Sequence, residues 1–409
     1  MDFKIHKSLL INLAAFFCMI PYFAPFPTES DIQYPVPLLC GLIFLFDLFR
    51  KNIRLNSFEL YFLFISFISL VYINPFIDYE YLIPKRIALL SAFFIFYVFS
   101  RYWLFINPKY LLAGMLLNLL ACIVQMLSPE IFEYSQAFIG RDFTMSGFSY
   151  LPSVGWRGLT GLSAEPAYLG GLSIVYFLVG YILWNEQRIS LKTFSFFSAI
   201  ALTLNLASLT GTSAIMGLIL ILFLILFSKK SFQSKLTYFF VTFFFLILLF
   251  DILGGSYRSF TILELAIREP SALFSLDYSS SLRMMSILVG FESIIQGNIF
   301  GNGVGTLAYV ASDIMADSKL KDLFIPSIME QGRERESFSA LGLYITELGI
   351  LFLILIIWLY SRPMKSHYTK IVRAPIFLFI VSAFSLLFPP FWMLIAATDK
   401  RSTFFKNKL

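Results

Sequence analysis

The chain has 409 residues and a mass of 46.9 kDa; 58% of its positions are apolar, 14% are charged, 49 are Phe and 21 are Tyr, and its mean hydropathy is +0.78. A soluble domain is about 45–50% apolar and about 25% charged, so this balance excludes a cytosolic enzyme, a disordered chain and a disulfide-stapled secreted module. The formal net charge of +6, from 31 Lys and Arg against 25 Asp and Glu, has to be placed along the chain before it speaks for or against nucleic acid.

A spanning helix needs about 20 mostly apolar residues. Such stretches fall near 8–25, 34–49, 57–73, 87–106, 110–128, 159–184, 192–208, 212–228, 237–253 and 338–360, and a last one, 374–398, is interrupted by Pro389-Pro390. The fold expected is all-α, a single polytopic membrane helix bundle of eleven or twelve spans over residues 1–409. The basic start (Lys4, Lys7) precedes no small-residue cleavage site, so the first stretch reads as a retained anchor. With the N-terminus inside, the inward loops hold sixteen Lys and Arg and the outward loops eleven, seven of them in one long segment. That asymmetry sets the orientation, because basic loops stay on the cytoplasmic face. The four bases of the tail (Lys400, Arg401, Lys406, Lys408) prefer the same side, which favours twelve spans with Pro389-Pro390 as the turn of a final hairpin. The basic excess is thereby a topology marker and no sign of a nucleic-acid partner.

Two outward segments are long: a medium loop at 129–156 and a large one at 254–337, which carries ten acids against seven bases. Within the large loop, Leu282, Met285, Leu288, Phe291 and Ile295 recur at helical spacing, an amphipathic helix opened by Arg283 and ending in the glycine-rich turn GNIFGNGVGT (Gly297–Thr306). GNGVG lacks the GK[ST] ending and the preceding strand of a P-loop, so it reads as a turn.

The strongest local signal is WRGLTGLSAEPAYLGG, Trp156–Gly171, where the medium loop meets a span. Pro166 disfavours helix at Glu165, and the glycines around it permit bends and close packing. An acid at that depth is expensive unless it faces a wet cavity or a cation, so Glu165 either serves a site or caps a broken helix. Glu347, in SALGLYITELGILF, is a second intramembrane acid, either a site residue or a hydrogen-bond partner for a neighbouring helix. Asp47, Glu59 and Asp251 read as boundary residues. Arg283 and the GRERES stretch (Gly332–Ser337, with Arg333, Arg335 and Glu336) supply planar donor forks suited to phosphate oxygens, and Glu334 or Glu336 a base for a sugar hydroxyl, or else these are solvated surface charges. Cys18, Cys40 and Cys122 lie in apolar runs without metal-ligand spacing and only two histidines accompany them, so no metal cofactor is expected.

In their order, these features resemble the bacterial O-antigen polymerases of the Wzy type, and more broadly the superfamily shared with O-antigen ligases. The likeness covers the whole topology, with the sequence patches RGLTGLSAEPAYLG, GNGVG and SALGLYITELGI carrying it. The resemblance implies a fold similar to the C-type membrane glycosyltransferases and a site at the periplasmic face of the bacterial inner membrane. No cofactor is implied; the partners are the bilayer and an oligosaccharide repeat unit carried on undecaprenyl pyrophosphate, with a chain-length regulator left open. It implies that Arg157 and Arg283 hold the donor pyrophosphate; Tyr168, Arg333 and Arg335 are the further candidate substrate contacts, and Glu165 and Glu336 the candidates for the base. Related ligases carry a histidine nine residues before the glutamate of Glu-Leu-Gly; that position is Phe338 here, which disfavours a ligase. A lipid-oligosaccharide flippase would show an internal repeat and charges in the middle of several spans, and the sequence reads as neither.

Overall fold

Caps and prolines decide where the apolar runs become helices. The Asn56 side chain accepts from the Glu59 N–H and the Glu59 carboxylate accepts from the Asn56 N–H, a reciprocal capping box. Pro108 follows the Asn107 cap, Pro166 opens the helix after Glu165, and Pro389-Pro390 fill the first turn of the last helix, where a missing N–H costs nothing.

The computed structural model describes residues 3–23, 35–51, 53–72, 79–128, 150–151, 155–156, 158–163, 165–208, 278–316, 318, 339–364, 368–381 and 388–399, with isolated residues between 217 and 269. The helices are α1 (Phe3–Met19), α2 (Pro35–Phe49), α3 (Ser57–Val71), α4 (Tyr79–Tyr102), α5 (Pro108–Leu127), α6 (Pro166–Asn185), α7 (Leu191–Ser208), α8 (Tyr278–Ile295), α9 (Leu307–Ala316), α10 (Ala340–Leu348), α11 (Ile350–Ser361), α12 (Tyr368–Val381) and α13 (Pro389–Thr398). Inside the medium loop, β1 (Tyr150–Leu151) and β2 (Gly155–Trp156) pair antiparallel, Tyr150 opposite Trp156. Among the described residues, four stretches are long and apolar enough to cross a membrane: Arg86–Phe105, Pro108–Leu127, Pro166–Asn185 and Leu191–Ser208. Shorter apolar helices accompany them at His6–Met19, Pro35–Phe49, Ser57–Val71 and Ile350–Ser361. The protein is therefore an all-α bundle of membrane character.

At the centre, α4 packs on α2, α3 and α13, and α6 packs on α7, α12 and α13. Aromatic rings fill the seams: Phe62 meets Trp392 at 5.0 Å, Phe58 meets Phe96 at 5.5 Å and Phe44 meets Tyr97 at 4.9 Å between centroids. The outer faces of α2, α5 and α7 leave Leu38, Leu120, Met126, Leu202 and Leu206 exposed, surface that acyl chains cover at no cost.

One end of the bundle is held by buried charges. Asp47 accepts from Lys7, from the Tyr97 hydroxyl at 3.2 Å and from the Tyr102 hydroxyl at 2.8 Å. Arg101 forks onto both Glu59 oxygens, at 2.6 and 3.0 Å, and its guanidinium lies 3.8 Å over the Tyr97 ring. Arg188, in the turn after α6, donates to the Trp103 and Ile106 carbonyls; burial pulls its pKa below the ordinary value and Glu186 opposes that shift. Arg362 pairs with Asp399 and lies over Phe58. These contacts gather the start of α1, the end of α2, the start of α3 and the ends of α4, α6, α11 and α13 on one side. Asp47 and Glu59, read from sequence as boundary residues, are the anchors of this layer.

Three spans differ from expectation. The stretch 159–184 is irregular up to Glu165 and helical only from Pro166, because the glycine-rich segment finds its hydrogen bonds elsewhere. The stretch 338–360 breaks at Gly349 (φ +57°), where a Cβ would collide with the Ile299 carbonyl, so α10 and α11 are separate helices. The stretch 374–398 is two helices, α12 and α13, but Pro389-Pro390, expected as the turn between them, form the first turn of α13 instead, because proline is tolerated there; Met364, ahead of α12, bridges Asp399 just after α13. The helix of the large loop also turns a different face inward. It starts at Tyr278, so Arg283 lies in its second turn, and Leu282, Met285 and Val289 are buried while Phe291 and Ile295 are exposed. The cause is its crossing with α10: Gly290 approaches Ile345 and Gly342 lies against the Ser286 backbone, so the small residues set the contact face.

Candidate functional site

The segment Gly158–Ser163 is irregular backbone enclosed in the bundle, and such a chain needs partners for its amides. Two polar residues of α5 supply them. The Gln125 side-chain carbonyl accepts from the Thr160 and Gly161 N–H groups, each at 3.0 Å, and the Asn118 side-chain carbonyl accepts from Leu162 N–H at 2.9 Å. Asn118 in turn donates to the Tyr176 hydroxyl at 2.8 Å, and Leu159 N–H donates to the Ala207 carbonyl of α7 at 2.9 Å. Gly161 has φ +54° and lies so close to Asn118 and Cys122 that no side chain fits there. The Gln125 amide nitrogen and the Ser163 hydroxyl, both buried, have no hydrogen-bond partner among the described residues.

This turn delivers Glu165. Its backbone is extended (φ −145°, ψ 159°), as a residue before proline should be, and its carbonyl accepts from Tyr168 and Leu169. The side chain is half-buried and does not cap α6, so the capping alternative falls away. One turn on, the Tyr168 ring meets Tyr22 at 5.0 Å, and Tyr22 meets Phe388 at 6.2 Å, joining the ends of α1 and the starts of α6 and α13. Since α6 runs 20 residues from Pro166 to the charged end, Glu165 lies about 30 Å from that end, on the opposite side of the bundle.

Arg283 reaches the same side by another route. The Ser286 hydroxyl donates to the Arg283 carbonyl at 2.8 Å and accepts from Ser339 N–H at 3.1 Å, and the Ser339 hydroxyl donates to the Ile380 carbonyl at 3.1 Å. Next to Ile380, Phe379 stacks on Phe388 at 6.1 Å. Glu165 with Tyr168, through Tyr22 and Phe388, and Arg283, through Ser286, Ser339 and Ile380, therefore lie toward the facing ends of α12 and α13. Arg157, Arg333, Arg335 and Glu336 lie outside the described residues.

Glu347 takes the hydrogen-bonding role. It is fully buried, its Oε1 accepts from Gly305 N–H at 2.7 Å, and its carbonyl accepts from Gly303 N–H at 3.0 Å. Asn302 N–H donates to the Thr346 carbonyl at 2.9 Å and Ile350 N–H to the Ile299 carbonyl at 2.9 Å. GNGVG is thus a turn, plugged into the break between α10 and α11 by the acid that sequence left undecided.

Sequence reasoning missed Arg86, which it counted among loop residues. Arg86 lies within α4, 5% exposed, 15 residues before Arg101 and so about 22 Å from the charged end. Pro84 inside the run hid it, although PKRIALLSAFF places the arginine directly against the apolar stretch. Asn118 and Gln125 were also missed; seven residues apart, they share one face of α5, a spacing that signals a polar stripe in a span. No protein-family model matches the chain, and no curated protein matches it.

Proposed function

We propose that the protein polymerises oligosaccharide repeat units carried on undecaprenyl pyrophosphate, as a metal-independent glycosyltransferase of a surface polysaccharide. The observation that carries this reading is the re-entrant turn Gly158–Glu165, held by Asn118 and Gln125, which brings a carboxylate that does not cap its own helix to the end of the bundle where Arg86 and Arg283 lie. The Lys and Arg asymmetry of the loops puts the charged end in the cytoplasm, so this end faces the periplasm, in a bundle of eleven or twelve spans across the inner membrane.

In that reading, Glu165 accepts the proton of the acceptor sugar hydroxyl as its oxygen attacks the anomeric carbon of the donor. The bond from that carbon to the pyrophosphate oxygen breaks, and undecaprenyl pyrophosphate leaves with its charge met by guanidinium groups, Arg283 and Arg86 together with Arg157. Tyr168 supplies an aromatic face beside Glu165 for a sugar ring. The orphan Gln125 amide and Ser163 hydroxyl offer neutral donors to sugar hydroxyls that enter the turn.

Purified protein incubated with lipid-linked repeat units is expected to give a ladder of oligomers on a gel. Glu165→Gln should abolish the ladder at unchanged thermal stability, Arg283→Gln and Arg86→Gln should each lower the rate at least about tenfold, and Lys109→Ala should leave it alone. No oligomers from the unaltered protein with a competent substrate would sink the reading, and a normal ladder from Glu165→Gln would remove that residue as the base.

A further inference from the structure

The far end of the molecule carries a second feature, unconnected with glycosyl transfer. Residues 362–409 contain eight Lys and Arg and a single acid, Asp399. That acid is engaged by Arg362, whose Nε donates to Oδ2 at 2.7 Å. Beside this pair, Arg373 in the second turn of α12 is 3% exposed. Its Nε donates to the Thr398 hydroxyl at 3.0 Å and its Nη1 to the Arg362 and Tyr360 carbonyls, at 2.8 and 3.3 Å. Its Nη2 is buried and has no hydrogen-bond partner among the described residues. The Tyr360 hydroxyl is likewise buried and unpartnered, and the Tyr360 ring packs edge-on, at 5.5 Å, against Phe377, one turn beyond Arg373.

A guanidinium kept from water with one nitrogen idle, next to an acid already engaged by another arginine, is electrostatically incomplete. An oxyanion completes it, because two N–H bonds and a phenol O–H then gain charged acceptors. The surroundings point to where that oxyanion comes from. Lys370 is exposed three residues before Arg373, whereas Ile357, one turn before Tyr360, is 67% exposed and Phe377 is 39% exposed. A buried cation near a helix end, with exposed apolar side chains one turn away on both helices, fits a molecule with a phosphate head and acyl chains.

We propose that Arg373 and Tyr360, between α11, α12 and α13, bind the phosphate of an anionic phospholipid whose chains lie along Ile357 and Phe377. The lipid neutralises the surplus charge of the C-terminal hairpin and ties its open end to the bilayer surface.

The test titrates delipidated protein in neutral detergent with phosphatidylglycerol or phosphatidylcholine and counts bound lipid by native mass spectrometry. One phosphatidylglycerol is expected to bind at least about tenfold more tightly than phosphatidylcholine. Tyr360→Phe, which removes one hydroxyl and keeps the ring, and Arg373→Gln should each erase most of that preference, whereas Lys192→Ala, at an exposed base of the same end, should not. Equal retention of the two lipids by the unaltered protein overturns the proposal, as does an unchanged preference in Tyr360→Phe. Inorganic phosphate that displaces the lipid at matched concentrations would make this a site for a free anion and would likewise overturn it.

Discussion

At the scale of single residues, the few charges of the chain divide into two kinds. Arg101 and Glu59 form a bidentate pair inside the bundle, and each is unaffordable without the other. Arg101→Gln strands a buried carboxylate, and a loss of about 3–5 kcal/mol is expected from denaturant unfolding in detergent. A loss below about 1 kcal/mol would mean that Glu59 finds water or another cation. Glu165 is the other kind, an acid whose side chain does not serve its own helix. Its place in AEPAYLGG was legible, since Pro166 announces both the extended backbone and the start of the helix. The partnership of Arg101 with Glu59 was not, because 42 residues separate them and only the packing of α3 on α4 brings them together.

At the scale of elements, polar side chains on one helix substitute for secondary structure in another. Gln125→Leu removes the acceptor of two buried amides, those of Thr160 and Gly161, and is expected to cost about 2–4 kcal/mol and to lower the proposed polymerisation with it. Glu165→Gln should affect the proposed polymerisation alone, so the two variants separate support of the turn from the proposed chemistry on it. The break at Gly349 makes a second element-level prediction. Gly349→Ala meets both a positive φ and the Ile299 carbonyl, and it should lower the thermal midpoint more than any alanine substitution on the exposed face of α11, such as Ile357→Ala. Element boundaries of this sort escape hydropathy, because a broken helix and a continuous one bury the same apolar residues. What separates α10 from α11 is the GNGVG turn lodged between them, whose Gly305 bonds Glu347 across 42 residues of chain.

At the scale of the whole molecule, the buried charges gather helix ends that the loops only suggested were on one side. Cysteines placed at Lys51, Lys109, Lys192 and Lys370, all exposed, should label from a single face of the membrane, and Leu127→Cys, at the other end of α5, from the opposite face. The three native cysteines are buried and should stay silent to a membrane-impermeant thiol reagent. Labelling of Lys109 and Lys192 sites from different faces would break the arrangement of α5, α6 and α7. The sequence by itself determined the class, an all-α membrane bundle, because 58% apolar and 14% charged residues leave no other solvent for the surface. It also determined the landmarks, the Glu-Pro junction and the glycine-rich turn, because proline and glycine act on the backbone locally. The tertiary structure alone decided which acids hold the fold together, since burial and partnership are properties of neighbours distant in the chain. Glu347 and Glu165 look alike in sequence; the first is taken up by Gly305, and the second follows a turn whose amides α5 satisfies.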